Sequence, residues 1–271
     1  MKLVTHKYGV YLQGTKIAFQ LRYFIKLAYK GTNYHGWQVQ PNAITVQELL
    51  TKSFSTVLRI PVEIVGAGRT DTGVHAEEFY AHVDIENEFK AEEIIYKVNA
   101  LLPDDIVVYN ILKTAENAHA RFDAASRSYE YRIFLGKNPF YTETAWQFLT
   151  IKLAIEKMNE AAKMLETYTN FKCFSRSNTD VRTYNCQVTH AEWKQTGQML
   201  VFHITADRFL RNMVRAIVGT LIEIGKDKMT LAEFKTIIES ENRSNAGPSA
   251  PSQGLFLTNV TYPKTIFNHE Q

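Results

Sequence analysis

The sequence predicts an α+β fold in which two related βαββαβ-like units, with mostly antiparallel sheets, flank a central cleft. Three observations carry that expectation. Segments of helical period are interleaved with alternating, strand-like runs along the whole chain. The first series has the order βαββαβ, and the second approximately repeats it without a visible sequence repeat. A length of 271 residues is also enough for two compact domains.

Residues 1–20 are an N-terminal leader to which no structure is assigned. The run 21–29 alternates as a strand, with Phe24, Ile25, Leu27 and Tyr29 as packing groups. Thr45 and Glu48 fit a capping box at the start of a helix over 45–58, where Val46, Leu49, Leu50, Phe54 and Leu58 recur at helical spacing. Strands follow at 61–66 and 78–85 around a glycine-rich turn, then a helix near 91–102 and a strand at 106–112. In the second series a strand occupies 127–135 and a helix 151–165. Strands at 184–194 and 199–206 are joined by a turn at Thr196, Gly197 and Gln198. Asp207 is expected to cap a helix running to Ile224 that Gly225 ends, followed by a helix over 230–239 and a last strand at 255–261. The expected division is 1–20 leader, 21–120 N-terminal domain, 121–264 C-terminal domain and 265–271 tail.

Composition excludes several classes. An apolar share of 45% with 22% charged residues argues against a disordered chain. Two cysteines, Cys173 and Cys186, rule out a disulfide scaffold and favour a reducing, cytoplasmic setting. No apolar run approaches the roughly 20 residues of a membrane span, and the first 20 residues lack the apolar core of an export signal. The excess of 31 Lys and Arg over 28 Asp and Glu is too small to identify a polyanionic partner by itself. The spacings of Cys173, Cys186, His190 and His203 lack the compact ligand pairs of zinc sites, so no metal is expected.

The densest constellation of chemistry-bearing residues is Gly66–Ala76, GAGRTDTGVHA. Arg69 can hold an anion, and Asp71 can serve as nucleophile, base or charge stabiliser. On the residues alone, a structural turn with an Arg–Asp ion pair is an equal reading. The segment matches neither the phosphate-loop nor the dinucleotide-binding glycine pattern. His75 is read as a support of the turn through hydrogen bonds, Trp37 as packing, and His35 as either a turn residue or a ligand contact.

GRTDTGVHA resembles the signature of the TruA-type tRNA pseudouridine synthases. The resemblance extends through FIKLAYKGTNYHGWQVQ, HARFDAASRSYEYRI, FLRNMVRAIVGTLIEIG and SAPSQGLFL, spanning about residues 22–260. It implies two α/β domains around an RNA-binding catalytic cleft and isomerisation of uridine to pseudouridine in the tRNA anticodon stem-loop, at positions 38, 39 and 40. It implies a homodimer with no cofactor. By the same resemblance Asp71 is the catalytic carboxylate, Arg69 opens the RNA and holds the flipped nucleotide, Tyr129 packs on the target base, and Arg215 orients Asp71. Leu255 and Phe256 fall in the last matched segment as an apolar pocket wall, with core packing the competing reading. Thr72 departs from the alanine usual in this motif.

Arg208, Arg211 and Arg215, spaced by three and four residues, are expected along one side of a helix, and Arg121, Arg127 and Arg132 as a second basic surface. Both are candidate phosphate contacts, against the simpler reading of solvated charge. A noncatalytic RNA-binding protein and a metal-assisted nuclease are the competing functional classes. Two routes fit the motif: attack of the carboxylate on C1', and carboxylate-promoted deprotonation of the ribose.

Overall fold

The computed structural model of the chain describes residues 3–6, 9–12, 15–17, 20–149, 152–177 and 181–267. Three short strands come first, β1 (Leu3–His6), β2 (Gly9–Leu12) and β3 (Thr15–Ile17), paired antiparallel as a small sheet of their own. They lie within the leader that the sequence left without structure.

The main body follows as β4 (Leu21–Tyr29), α1 (Val46–Leu58), β5 (Ile64–Gly66), β6 (His75–Ile85), α2 (Ala91–Asn99) and β7 (Ile106–Lys113). Then come β8 (Ser126–Leu135), β9 (Trp146–Phe148), α3 (Ile155–Met164), β10 (Val188–Thr196), β11 (Met199–Ala206), α4 (Met213–Gly225), α5 (Leu231–Glu239) and β12 (Leu255–Thr261). Local signals account for the boundaries. Thr45 accepts a hydrogen bond from the Glu48 amide at the start of α1, and Thr230 with Glu233 closes a full capping box on α5. Gly197, at φ 58°, makes the turn between β10 and β11.

These strands form one nine-stranded mixed sheet in the spatial order β10-β11-β8-β12-β6-β4-β7, with β5 beside β6 and β9 beside β8. The expectation of two sheets separated by a cleft is thereby corrected. The last strand, β12, pairs antiparallel with β8 on one side and parallel with β6 on the other, through Phe256–His75 and Leu257–Ala76. A strand from the end of the chain thus fuses the two series. Two apolar cores remain distinct on this sheet, one built around Trp37, Phe54 and Phe79 and the other around Phe171, Phe202 and Phe234. Tyr129 packs against both.

The opposite side of β4 and β6 is also covered. Phe24, Tyr262 and Phe267 meet edge to face, and Ala115 donates its amide to the Ile266 carbonyl. Residues 265–267, expected as tail, therefore belong to the packed body, and 268–271 lie outside the described residues. Among the described residues no helix is long and apolar enough to cross a membrane.

One buried histidine on this side gives stability a pH dependence. His82 accepts the Ala120 amide at Nδ1 (3.2 Å). Burial, with Arg22 and His119 adding to it, lowers its pKa from 6.5 to about 4. The unfolded chain therefore binds a proton at this site that the folded chain refuses between those values. The contribution is fully present above pH 6.5 and is lost as pH falls toward 4, by about 3 kcal/mol. Urea unfolding at pH 7 and pH 4.5 should show a smaller difference for His82→Gln than for wild type. Equal differences would mean that other groups carry the acid sensitivity.

Candidate active site

Asp71 sits on the loop between β5 and β6, which several independent contacts hold. Ala67 donates its amide to Tyr80 O (2.7 Å) as the loop leaves β5. Thr70 offers its carbonyl to the Trp37 amide (3.4 Å) and its hydroxyl to Tyr29 (3.0 Å). Gly36 is pressed so closely against this loop that a Cβ there would lie 2.2 Å from the Thr70 oxygen. A turn then closes from the Val74 amide to the Asp71 carbonyl, and its third residue, Gly73, has φ 76°, a conformation glycine adopts without penalty. Thr72 is exposed on this turn, so its departure from alanine is absorbed by solvent.

His75 locks the far end of the loop. Its Nδ1 accepts the Gly31 amide, which leaves Nε2 to donate to Gln253 O (3.1 Å), and the ring stacks on Phe256. Burial lowers its pKa, and both ring nitrogens are committed. It supports the turn, as the sequence reading had it.

The partner of Asp71 comes from the other end of the chain. Arg215, in the first turn of α4, reaches Asp71 Oδ2 with Nη1 at 3.3 Å while its Nε donates to Ala250 O at 2.7 Å. The Ala250 amide returns a bond to the Arg215 carbonyl. Arg211 faces the second carboxylate oxygen, with Nε 3.7 Å from Oδ1, from a side chain that is 56% exposed. Asp71 thus stands between a fixed arginine and an exposed one. Tyr129 lies within electrostatic reach: burial is the main cause that pushes its phenol up to about 12, Arg127 opposes the rise, and Asp71 adds to it. Its ring meets Phe209 edge to face at 5.1 Å.

Several expected placements change. Asp207 does not cap the helix. Its carboxylate accepts the amides of Gln187 and Arg208, and α4 begins only after Asn212, whose φ is 65°. Arg208 and Arg211 therefore sit on the segment before α4 rather than on a helical side with Arg215. The second expected basic surface also divides. Arg127 donates to the carbonyls of Ala67, Arg121, Ala124 and Asp207, so its guanidinium ties three segments together and is not available to a phosphate. Arg132 pairs with Glu130 and Glu77 and lies 3.9 Å over the Phe256 ring. Arg69 and Arg121 are exposed.

Strand register decides the apolar wall. Leu255 is opposite Tyr131 and Leu257 opposite Tyr129, so both share the tyrosines' face. Phe256 is opposite Glu130 and turns to the other face, against His75 and Arg132. The structure brings Asp71, Arg215, Arg211 and Tyr129 together and leaves Phe256 outside. Leu257 takes its place opposite Tyr129, and the unbroken apolar run Leu255–Leu257 carries no alternation that would single it out. The role of Ala250 leaves no side-chain signal in the sequence either, because its contribution is a carbonyl. Among the described residues no group of three or more His, Cys, Asp or Glu is arranged to hold a metal ion.

Comparison with known proteins adds an independent line. A family model described as tRNA pseudouridine synthase matches residues 161–263. The chain is similar to proteins named tRNA pseudouridine synthase A from Bacteroides thetaiotaomicron (52% identity over 252 residues, covering 92% of this chain and 93% of that protein) and Bacteroides fragilis (52% over 248 residues, 91% and 98%). The protein of that name from Parabacteroides distasonis is 50% identical over 251 residues, 91% of this chain and 98% of its own length.

Proposed function

The chain belongs to the TruA-type tRNA pseudouridine synthase family and isomerises uridine in tRNA, and from that premise we propose that its targets are positions 38, 39 and 40 of the anticodon stem-loop, with Asp71 as the catalytic carboxylate. The observation that carries the assignment of Asp71 is its pairing with Arg215 across 144 residues of sequence, beside Tyr129. No cofactor is required by the chemistry. The C1'–N1 bond breaks, uracil turns, C1' joins C5, the C5 proton leaves and the freed N1 takes up a proton, without a redox equivalent or phosphate donor.

In this reading Asp71 acts on the ribose, as nucleophile at C1' or as base toward a glycal-like intermediate. Arg215 fixes the direction of the carboxylate. Tyr129 packs on the displaced base and Leu255 closes the apolar side. Arg69, exposed on the same loop, holds the RNA open, and the exposed Arg121 and Arg211 with the half-buried Arg208 supply charge for phosphates. Residues 21–120 and 121–264 serve as two domains flanking the RNA cleft. The enzyme works as a cytoplasmic homodimer, a setting with which the free thiols of Cys173 and Cys186 agree.

The proposed sites are tested by incubating purified protein with unmodified tRNA and mapping pseudouridine by position. Product at 38, 39 or 40 is the expected result. Product only at other positions keeps the chemistry and overturns the target assignment, and binding without product would return the protein to the noncatalytic class.

A further inference from the structure

The turn between β7 and β8 presents an aromatic ring to solvent on an unusually well-fastened backbone. Phe122 is 74% exposed. The turn beneath it is held at many points. Arg22 donates to Ala118 O (2.8 Å), Ala120 donates to His82 Nδ1 (3.2 Å), and the Tyr262 hydroxyl donates to Ala120 O. Asp123 accepts the His119 amide (2.6 Å) and returns its own amide to the His119 carbonyl (3.1 Å). His119 Nδ1 accepts the amide of Arg121 at 3.1 Å. One side of the Phe122 ring lies against His119, with centroids 4.2 Å apart, and the Arg121 guanidinium is 5.6 Å from its centre.

This turn adjoins the catalytic loop. A single nitrogen of Arg127 donates both to the Arg121 carbonyl and to Ala67 O, where the loop carrying Asp71 begins. A large apolar ring held out from the surface on a rigid turn gains nothing for folding, whereas a pre-positioned aromatic beside a cation is the arrangement that stacks an unpaired nucleobase and attracts its phosphate.

We propose that Phe122, with Arg121, is a second nucleobase-stacking site at the rim of the Asp71 site, occupied by an unpaired base of the RNA substrate. The proposal rests on the anticodon stem-loop reading, because an anticodon loop supplies unpaired bases next to the proposed targets while a continuous duplex does not. The ring is distinct from Tyr129, which lies against both cores.

The test compares wild type, Phe122→Ala and Phe122→Tyr, all as full chains, for binding to an anticodon stem-loop and to a duplex RNA of equal length without unpaired bases, at one fixed salt concentration. Phe122→Ala should weaken stem-loop binding on the order of tenfold, leave duplex binding unchanged, and be restored by Phe122→Tyr. Stem-loop affinity of Phe122→Ala within about twofold of wild type overturns the proposal, and so does an equal loss on both RNAs. If sedimentation shows that Phe122→Ala changes the oligomeric mass, the ring is a contact between protein chains and the proposal falls as well. Mapping of the wild-type product separates the two claims: absence of isomer at 38–40 sinks the target assignment, whereas the comparison between the two RNAs judges Phe122 alone.

Discussion

Asp71→Asn should abolish pseudouridine formation, with a fall of at least about 10⁴-fold in the single-turnover rate, while tRNA affinity stays within a few-fold of wild type. The substitution keeps the shape of the side chain and leaves one oxygen for Arg215. It removes the charge and basicity that either chemical route requires. Little unfolding is expected. Arg215 keeps its bond to Ala250 O, Arg211 is already more than half exposed, and the loop is fixed by Thr70, Gly73 and Val74 through backbone contacts that the substitution does not touch. Three measurements on one preparation suffice: rate by site-resolved detection, affinity by anisotropy, and thermal unfolding. Retention of more than a few per cent of the rate would remove Asp71 from the chemistry. A loss of affinity matching the loss of rate would make it an RNA-positioning group instead.

Much of this architecture can be read in the sequence because its elements obey local rules. Thr45 and Thr230 announce their helices, and Gly197 announces its turn. The errors share a different cause: each concerns what a residue meets far away in the chain. Asp207 has the composition of a helix cap, yet its carboxylate is taken by the amides of Gln187 and Arg208. Arg127 is charged and flanked by polar residues, a pattern that reads as surface, but four carbonyls from three segments surround it. Phe256 lies in the run GLFL, which carries no alternation because β12 is buried on both faces. Only its register against β8 and β6 shows which side chains face the tyrosines. The single continuous sheet was hidden for the same reason, since its joint pairs residues of β6 with residues of β12 some 180 positions later.

Gly219→Ala should be the most disruptive small substitution near the site, although helix propensity alone favours alanine by about 1 kcal/mol. Gly219 lies in the middle of α4, where a Cβ would stand 1.7 Å from Pro248 O and 3.3 Å from the Ala250 amide nitrogen. Both neighbours are backbone and cannot rotate away. The segment they belong to is tied to the same helix by Gly247 donating to the Thr220 hydroxyl (2.9 Å) and by Ala250 donating to the Arg215 carbonyl (2.9 Å), and Arg243 braces it from behind through Gly247 O and Ser249 Oγ. Relief of the overlap therefore moves the segment off the helix and carries Ala250 O with it. That oxygen is the anchor of Arg215 Nε, so the arginine that directs Asp71 loses its fixed position. The expected result is a destabilisation of about 3 kcal/mol, seen as a lower denaturant midpoint, with a kcat that falls further than tRNA affinity does. A variant as stable as wild type would show that the segment can retreat freely. It would then contradict the claim that the packing of α4 against residues 247–250 sets the geometry of the carboxylate.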